Sequence, residues 1–233
     1  MKIRFATVTG ADDKTSIDSM VRIRNRYPFV EWGILFSPKR IGESRYPSSE
    51  WLEKLKDKGS SMRISAHICG VYSQELLTTG ICDALSTNTA IDKVGAFYRV
   101  QLNFNSSKHT VSEKFYRNLR ISAIHGTVIL QYNDSNCELN SEVISKGIGV
   151  SFLYDSSGGL GVLEKQWKPP VGNFFTGYAG GLTPDNLEEE LKKIEAVVGD
   201  NEIWIDAETG LRTNDTLDLD KVLTYLQIAS KYV

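Results

Sequence analysis

Two polar side chains interrupt apolar runs of the sequence, and both are of types that move protons. His67 stands within ISAHICG, and Asp155 follows the apolar letters of FLYD. With an ordinary pKa near ~6.5, a histidine is a natural base for a carbon acid. Alternation along ISAHICG puts His67 and Cys69 on one face of a strand. The alternatives are a core histidine with a satisfied hydrogen bond and a carboxylate that only ends a strand.

A pair of adjacent glycines, Gly180 and Gly181, ends a third apolar run within GYAGGLTPDN, just before a helical pattern. Glycines let a ligand approach the main chain closely. Free N–H groups at the start of a helix favour negative charge. A tight turn with an ordinary cap would explain the same letters, so the motif predicts either a phosphate-type site or a plain turn.

Other chemistries have less support. Asp155, Asp206, Glu208 and His67 could together bind a divalent metal, but their spacing follows neither an i,i+4 nor a CxxC-type pattern. No lysine ends an apolar run, which disfavours a Schiff-base enzyme. The sequence therefore predicts neither a metal nor a cofactor.

Eight apolar runs, most of them about 25 to 35 residues apart, alternate with helical patterns, as expected of βα units. The runs cover 3–10, 30–38, 62–70, 96–104, 126–134, 149–157, 173–181 and 202–210. The clearest helical patterns cover 12–27, 48–58, 112–124, 184–198 and 218–231. The segment 72–93 predicts a short helix and a long loop. We expect a single (β/α)8 barrel domain over residues 1–233, with a doubly wound open sheet as the alternative.

In such a barrel the carboxyl ends of all strands meet at one face, where active sites lie. The polar or glycine residues expected near this rim are Thr9, Ser37, His67, Asn103, Asn133, Asp155, Gly180 and Asp206.

The composition narrows the range of partners. The formal net charge is −2, and lysines and arginines form no block, so nucleic-acid binding has no support. No run approaches the roughly 18 apolar residues of a membrane span. The three cysteines have no metal-type spacing, and their odd number without a secretory leader indicates reduced thiols and a cytoplasmic protein.

Several motifs, in their order along the chain, resemble phosphoribosylanthranilate isomerases, the barrel enzymes of the tryptophan pathway. The most specific is YAGGLTPDN, which is similar to the family's strand 7 motif. The others are individually weak. They are the stretches GILFSPKRIGESRYP (33–47), VQLNF (100–104), FLYDSSGGLG (152–161) and IDAETGLR (205–212).

The resemblance implies an Amadori-type isomerisation of a phosphoribosylamine, in which an acid opens the ring and a base removes the proton from C2. Asp155 matches the family's acid. Thr9 stands at the position of the family's base, a cysteine, and a threonine hydroxyl needs a neighbouring base to be useful. His67 could compensate for the missing cysteine.

The resemblance also implies a set of binding residues. Arg45 matches the arginine that holds the substrate carboxylate, with Arg40 as a rival because the loop carries extra residues. Asn103 replaces a family histidine, and Glu208 replaces a small residue. The remaining substrate residues are Gln101 and Asp206, and the phosphate residues are Gly158, Gly159, Gly180, Gly181, Thr209 and Gly210.

Two functions stay open. The first is an isomerase-like enzyme that acts on a phosphorylated sugar or ribosylamine, with Asp155 and His67 as its acid and base. The second is a non-catalytic protein that binds a phosphorylated metabolite on the same fold. A metal-dependent epimerase or lyase is a weaker third idea. In each case we expect a monomer or a homodimer.

Overall fold

The computed structural model describes residues 1–58, 61–82, 97–125, 127–156 and 161–233, without the side chains of 123–125 and 127. Eight parallel strands form a closed barrel, in which each strand pairs with the next and the eighth pairs with the first. They are β1 Lys2–Thr9, β2 Val30–Phe36, β3 Ile64–Ile68, β4 Arg99–Leu102, β5 Thr127–Tyr132, β6 Ser151–Tyr154, β7 Thr176–Tyr178 and β8 Glu202–Ala207. The predicted (β/α)8 barrel is confirmed, and the open sheet is wrong.

The described part of the chain contains seven helices. They are α1 Ile17–Arg26, α2 Ser49–Lys58, α3 Val71–Thr79, α4 Glu113–His125, α5 Cys137–Ser145, α6 Leu187–Val198 and α7 Leu219–Ala229. All five clear helical patterns of the sequence correspond to helices, whereas α5 was not predicted. The short helix expected in 72–93 is α3, and residues 83–96 lie outside the described residues. Between β6 and β7, none of the described residues is helical.

The helices pack on the barrel through one apolar face each. In α6 that face includes Leu187, Leu191 and Ile194, which are fully buried, and acidic residues occupy the first turn. Asp218 caps the amino terminus of helix α7, and its carboxylate accepts hydrogen bonds from two backbone N–H groups. None of the described helices is long and apolar enough to cross a membrane.

The interior of the barrel contains a buried ion pair. Arg99 donates from Nε to Oε2 of Glu31 over 2.9 Å, and the Thr7 hydroxyl donates to the same carboxylate. The guanidinium also lies 4.3 Å from the centre of the Trp204 ring. Because Arg99 pairs with Ser65 while Gln101 pairs with His67, the ion pair forms the layer beneath these two residues. The large cavity of the barrel lies beyond this layer, toward the carboxyl ends of the strands.

Candidate active site

The strand ends surround a cavity of about 770 Å³. Every described residue that the sequence predicted to act in catalysis or binding lines it. These residues are Thr9, Arg45, His67, Gln101, Asn103, Asp155, Gly180, Gly181, Asp206, Thr209 and Gly210. Ser37, which was expected near the same rim, does not line the cavity. These residues therefore meet at one cavity, and their roles in catalysis and binding stay predictions.

Thr9 and Asp206 are joined by a hydrogen bond at the floor of the cavity. The Thr9 hydroxyl donates to Oδ1 of Asp206 over 2.7 Å, and both residues are buried. Burial raises the pKa of Asp206 to about 8, and nearby carboxylates, that of Glu208 first, add to the rise, while the bond from Thr9 opposes it. The threonine hydroxyl therefore has a titratable carboxyl group as its hydrogen-bond partner.

His67 lies beside this pair but has a different protonation state. It is 2% exposed, and its Nε2 has no hydrogen-bond partner among the described residues. Burial lowers the pKa of His67 to about 3, and the charge of Arg99 adds to the effect. The imidazole is therefore neutral near pH ~7 and a weak base. The assignment of His67 as the base stays a prediction, and this pKa argues against it.

Gly33 on β2 was not predicted to take part in the site. A Cβ at this position would lie 3.0 Å from Nε2 of His67 and closer still to Oγ1 of Thr9. The absence of a side chain lets both residues approach the β2 backbone. A glycine inside an apolar strand was the available signal, but it does not say which side chains come close.

Asp155 is held by two carboxamides from the neighbouring strand. Nε2 of Gln131 donates to its carboxylate over 3.0 Å, and Nδ2 of Asn133 donates to its backbone carbonyl over 3.2 Å. Gln131 was not predicted, although alternation along GTVILQYND places it on the same face as Asn133. Asp155 follows β6, which is three strands from β1 around the ring, so it faces Thr9 across the cavity.

Gln101 and Asn103 form a short chain of hydrogen bonds along the end of β4. Nε2 of Gln101 donates to Oδ1 of Asn103 over 2.9 Å, and Nδ2 of Asn103 contacts Sγ of Cys69 at 3.3 Å. Burial raises the pKa of the Cys69 thiol to about 11, so it is not a thiolate at neutral pH. Oε1 of Gln101 has no partner among the described residues.

Arg45 lines the cavity with its charge already paired. Its Nη1 donates to Oε1 of Glu208 over 2.7 Å and to Oγ1 of Thr209 over 3.2 Å. Its Nε lies 3.4 Å from Oδ1 of Asp215. The rival Arg40 also lines the cavity and pairs with Glu43 over 2.8 Å.

The glycine pair follows β7 with backbone angles that favour glycine. Gly180 has a φ of 99° and Gly181 a φ of 66°. A Cβ at Gly180 would lie 3.0 Å from the carbonyl oxygen of Val162, and one at Gly181 would overlap the backbone of Leu163. The two glycines therefore let another segment of main chain, residues 162 and 163, pack closely against their backbone.

A carboxylate lies next to the glycine pair. Oε1 of Glu164 accepts a hydrogen bond from the backbone N–H of Ser156 over 3.0 Å, and its Cγ is 4.0 Å from the place of a Cβ on Gly180. Gly210 is enclosed by the carbonyl of Leu182 and by Thr183. The other two predicted phosphate residues, Gly158 and Gly159, lie outside the described residues.

Among the described residues, no group of three histidine, cysteine, aspartate or glutamate side chains is arranged to hold a metal ion. The chemistry that the described lining offers is proton transfer and hydrogen bonding.

Comparison with known proteins gives agreement in structure and none in sequence. No protein-family model matches the chain, and no curated protein matches it. The phosphoribosylanthranilate isomerase of Thermus thermophilus superposes with a TM-score of 0.62 at 13% identity, over 99% of each chain. TrpF of Jonesia denitrificans gives a TM-score of 0.61 at 16% identity, over 98% of this chain and 97% of its own.

A third solved structure, the phosphoribosylanthranilate isomerase of Thermotoga maritima, gives a TM-score of 0.60 at 16% identity over 97% of this chain and 99% of its own. Identities this low establish the fold and leave the reaction open. The fold expected from the sequence motifs is confirmed: the chain is a closed barrel with a fold similar to that of the phosphoribosylanthranilate isomerases.

Proposed function

We propose that this protein is an isomerase that moves a proton at C2 of a phosphorylated sugar or ribosylamine. The observation that carries the proposal is the buried Thr9–Asp206 hydrogen bond of 2.7 Å at the cavity floor, which faces Asp155 across the site. An acid and a base on opposite sides of a sugar are what ring opening and enolisation require.

Asp155 acts as the acid in this proposal. It donates a proton to the ring oxygen as the bond from that oxygen to C1 breaks, which leaves an open-chain iminium or carbonyl. The carboxamide of Gln131 holds the Asp155 carboxylate in place through a bond of 3.0 Å. A group fixed in this way loses little freedom when the substrate binds.

Asp206 acts as the base through Thr9. The hydroxyl oxygen of Thr9 takes the C2 proton while its own proton passes to Oδ1 of Asp206, and the electron pair of the C–H bond forms the enol. Return of a proton to C1, together with transfer of the C2 hydroxyl proton to the ionised Asp155, completes the ketose, so the reaction needs no oxidant or reductant. A base with a pKa of about 8 suits this role at neutral pH better than an imidazole with a pKa of about 3.

The phosphate of the substrate would occupy the region of Gly180, Gly181, Thr209 and Gly210, all of which line the cavity. The positive φ angles of the glycine pair let a ligand approach the main chain, and nearby backbone N–H groups favour an anion. Binding there requires residues 162–164 to move, since they lie against the two glycines.

The test is solvent exchange at C2. The protein is incubated in deuterium oxide with ribose 5-phosphate and, separately, with phosphoribosylanthranilate, and deuterium at C2 is measured by mass spectrometry. We expect incorporation into ribose 5-phosphate by the parent and by Thr9→Ser, which keeps the hydroxyl, and the second compound shows whether a carboxylate-bearing ribosylamine is also accepted. Thr9→Val and Asp206→Asn should each lower the rate by about 10²–10⁴-fold.

The rate should rise with pH and level off above about pH 8, because protonated Asp206 cannot accept a proton. Equal exchange by Thr9→Ser and Thr9→Val would contradict the role of the hydroxyl. If no variant exchanges deuterium while phosphate still binds, the protein is a non-catalytic binder of a phosphorylated metabolite.

A further inference from the structure

The part of the cavity near Arg45 is not available to a carboxylate. Arg45 and Glu208 are 25% and 22% exposed, and their charged groups are 2.7 Å apart. A ligand carboxylate would have to displace that of Glu208 or lie beside it. If the ligand displaces Glu208, the protein loses a partly buried, charge-assisted hydrogen bond. If both carboxylates stay, two negative charges share one guanidinium.

The backbone fixes this arrangement. Arg45 has a φ of 75°, which a residue with a side chain adopts only when the surroundings impose it. Its N–H donates to Oδ2 of Asp12 over 2.8 Å, and Asp12 forms a buried ion pair with Arg212 at 3.1 Å. The pairing of Arg45 with Glu208 is therefore a built part of the cavity wall.

The described lining offers no other cation for a second anionic group. Arg40 is bound to Glu43, and no lysine lines the cavity among the described residues. The acidic lining residues are Asp155, Asp206, Glu208 and Asp215. A ligand with a carboxylate in addition to its phosphate would meet this excess of acid.

The wall formed by β3 to β5 and the turns that follow them has a different character, because it is rich in carboxamides. Those that line the cavity are Gln74, Gln101, Asn103, Asn105, Gln131 and Asn133. Gln101 is 4% exposed, its amide nitrogen is bound to Asn103, and its Oε1 has no partner among the described residues. A buried acceptor without a partner is unfavourable. A ligand hydroxyl group can donate to it, and a carboxylate cannot.

We infer that the carboxamide wall binds an uncharged, hydroxyl-bearing part of the substrate, and that Glu208 excludes substrates with a carboxylate at Arg45. The inference rests on the proposed function, which puts the phosphate at the glycine pair. It narrows the substrate to a sugar phosphate whose other end carries hydroxyl groups and no carboxylate.

Titration calorimetry tests this with two probes that share a phosphate. One is arabinitol 5-phosphate, which presents only hydroxyl groups, and the other is reduced 1-(o-carboxyphenylamino)-1-deoxyribulose 5-phosphate, which adds a carboxylate. We expect the parent to bind the polyol at least about tenfold more tightly, because the carboxylate of the other probe meets that of Glu208 at the Arg45 guanidinium. Gln101→Leu should weaken binding of the polyol about tenfold and leave the affinity for inorganic phosphate unchanged.

Glu208→Gln should improve binding of the carboxylate probe by about tenfold or more, because Arg45 is released. Glu208→Ser is a second variant, in case the first changes the loop. Glu202→Gln, at the opposite end of β8, is the control and should leave the affinity for both probes unchanged. Thermal unfolding checks that each variant folds.

The outcomes separate the two proposals. If inorganic phosphate binds and the parent prefers the carboxylate probe, the inference is wrong and the proposed function stands. If neither Glu208 variant improves binding of the carboxylate probe, Glu208 is not the excluding group. If neither probe nor inorganic phosphate binds at millimolar concentration, the phosphate site fails, and the proposed function fails with it.

Discussion

At the scale of single residues, the informative contact is the one between Thr9 and Asp206. A threonine at the position that the sequence resemblance assigns to a catalytic cysteine suggests loss of function when it is considered alone. The structure places a carboxylate with a raised pKa beside it, 2.7 Å from the hydroxyl oxygen. The contact between the two residues is what makes the proposed proton relay possible.

The raised pKa of Asp206 makes stability depend on pH. Its pKa is about 8 in the folded protein and ordinary when unfolded, so the folded state binds the extra proton between about pH 4 and pH 8. The contribution of Asp206 to the free energy of unfolding should be largest below this range and should fall as pH rises through it, by up to about 1.4 kcal/mol per pH unit. Urea unfolding of the parent and of Asp206→Asn at about pH 5 and about pH 8 measures the difference.

Asp206→Asn should lose most of this pH dependence. The matched control is Asp215→Asn, which removes an exposed carboxylate whose pKa its bond with Ser44 lowers, and which should keep the decline of the parent. A parent that gains stability from about pH 5 to about pH 8 would contradict the assignment.

The ion pair beneath the cavity should be costly to break. Arg99 and Glu31 are 2% and 0% exposed, so Glu31→Gln leaves a buried guanidinium without its counter-charge. We expect a loss of about 3–5 kcal/mol in the free energy of unfolding. Glu202→Gln breaks the exposed pair with Arg4 and should cost less than about 1 kcal/mol. Equal losses in urea unfolding would show that burial does not decide the cost.

At the scale of elements, β7 and β8 pack closely because β7 carries a glycine. Gly177 pairs with Trp204, and a Cβ on Gly177 would overlap the indole ring. Gly177→Ala should therefore cost about 1–3 kcal/mol of stability through overpacking. Gly149→Ala, where nothing lies within 4 Å, should stay within about 0.5 kcal/mol of the parent. Urea unfolding measures both, and a neutral Gly177→Ala would mean that Trp204 can move aside.

The elements were also what the sequence predicted best. Eight apolar runs and the polar residues at their ends were sufficient to locate the cavity, because parallel strands bring their carboxyl ends together. Helix α5, CELNSEVIS, was missed because its asparagine, serines and β-branched residues have low helix propensity. The approach of Thr9 and His67 at Gly33 was missed because strand patterns give faces and not distances.

Interactions between distant segments could not be predicted. The Arg45–Glu208 pair joins residues 163 positions apart. Because of it, the arginine that the sequence offered as a binding site for a ligand carboxylate has its charge neutralised within the protein. The pKa of His67 depends on its complete burial, which no local pattern measures. In both cases the chemistry follows from charge and burial in the assembled barrel.

At the scale of the whole molecule, ligand binding should be measurable as stability. Inorganic phosphate at about 100 times its dissociation constant should add about 2.7 kcal/mol to the free energy of unfolding. Gly181→Ala should remove this gain, because its Cβ would occupy the space beside the main chain that the phosphate takes once residues 162–164 have moved away. Thermal unfolding with and without phosphate measures the effect.

Gly147→Ala is the control for backbone strain alone. Its φ of 62° is close to the 66° of Gly181, but nothing lies within 4 Å of its Cβ position. Backbone strain should lower the free energy of unfolding of Gly147→Ala about as much as that of Gly181→Ala. Phosphate should still stabilise Gly147→Ala. If phosphate stabilises Gly181→Ala as much as the parent, the anion binds elsewhere.

The pairing of β1 with β8 has a consequence for how the protein acquires activity. The two partners of the proposed relay, Thr9 and Asp206, lie 197 positions apart and meet across this seam of the barrel. Contacts of such long range form slowly, because the closure of a long loop must precede them. Whatever order the other strands assemble in, an intermediate with an open seam has most of the cavity wall and none of the relay. During refolding, proton-transfer activity should therefore return later than helical structure and together with the final closure of the sheet.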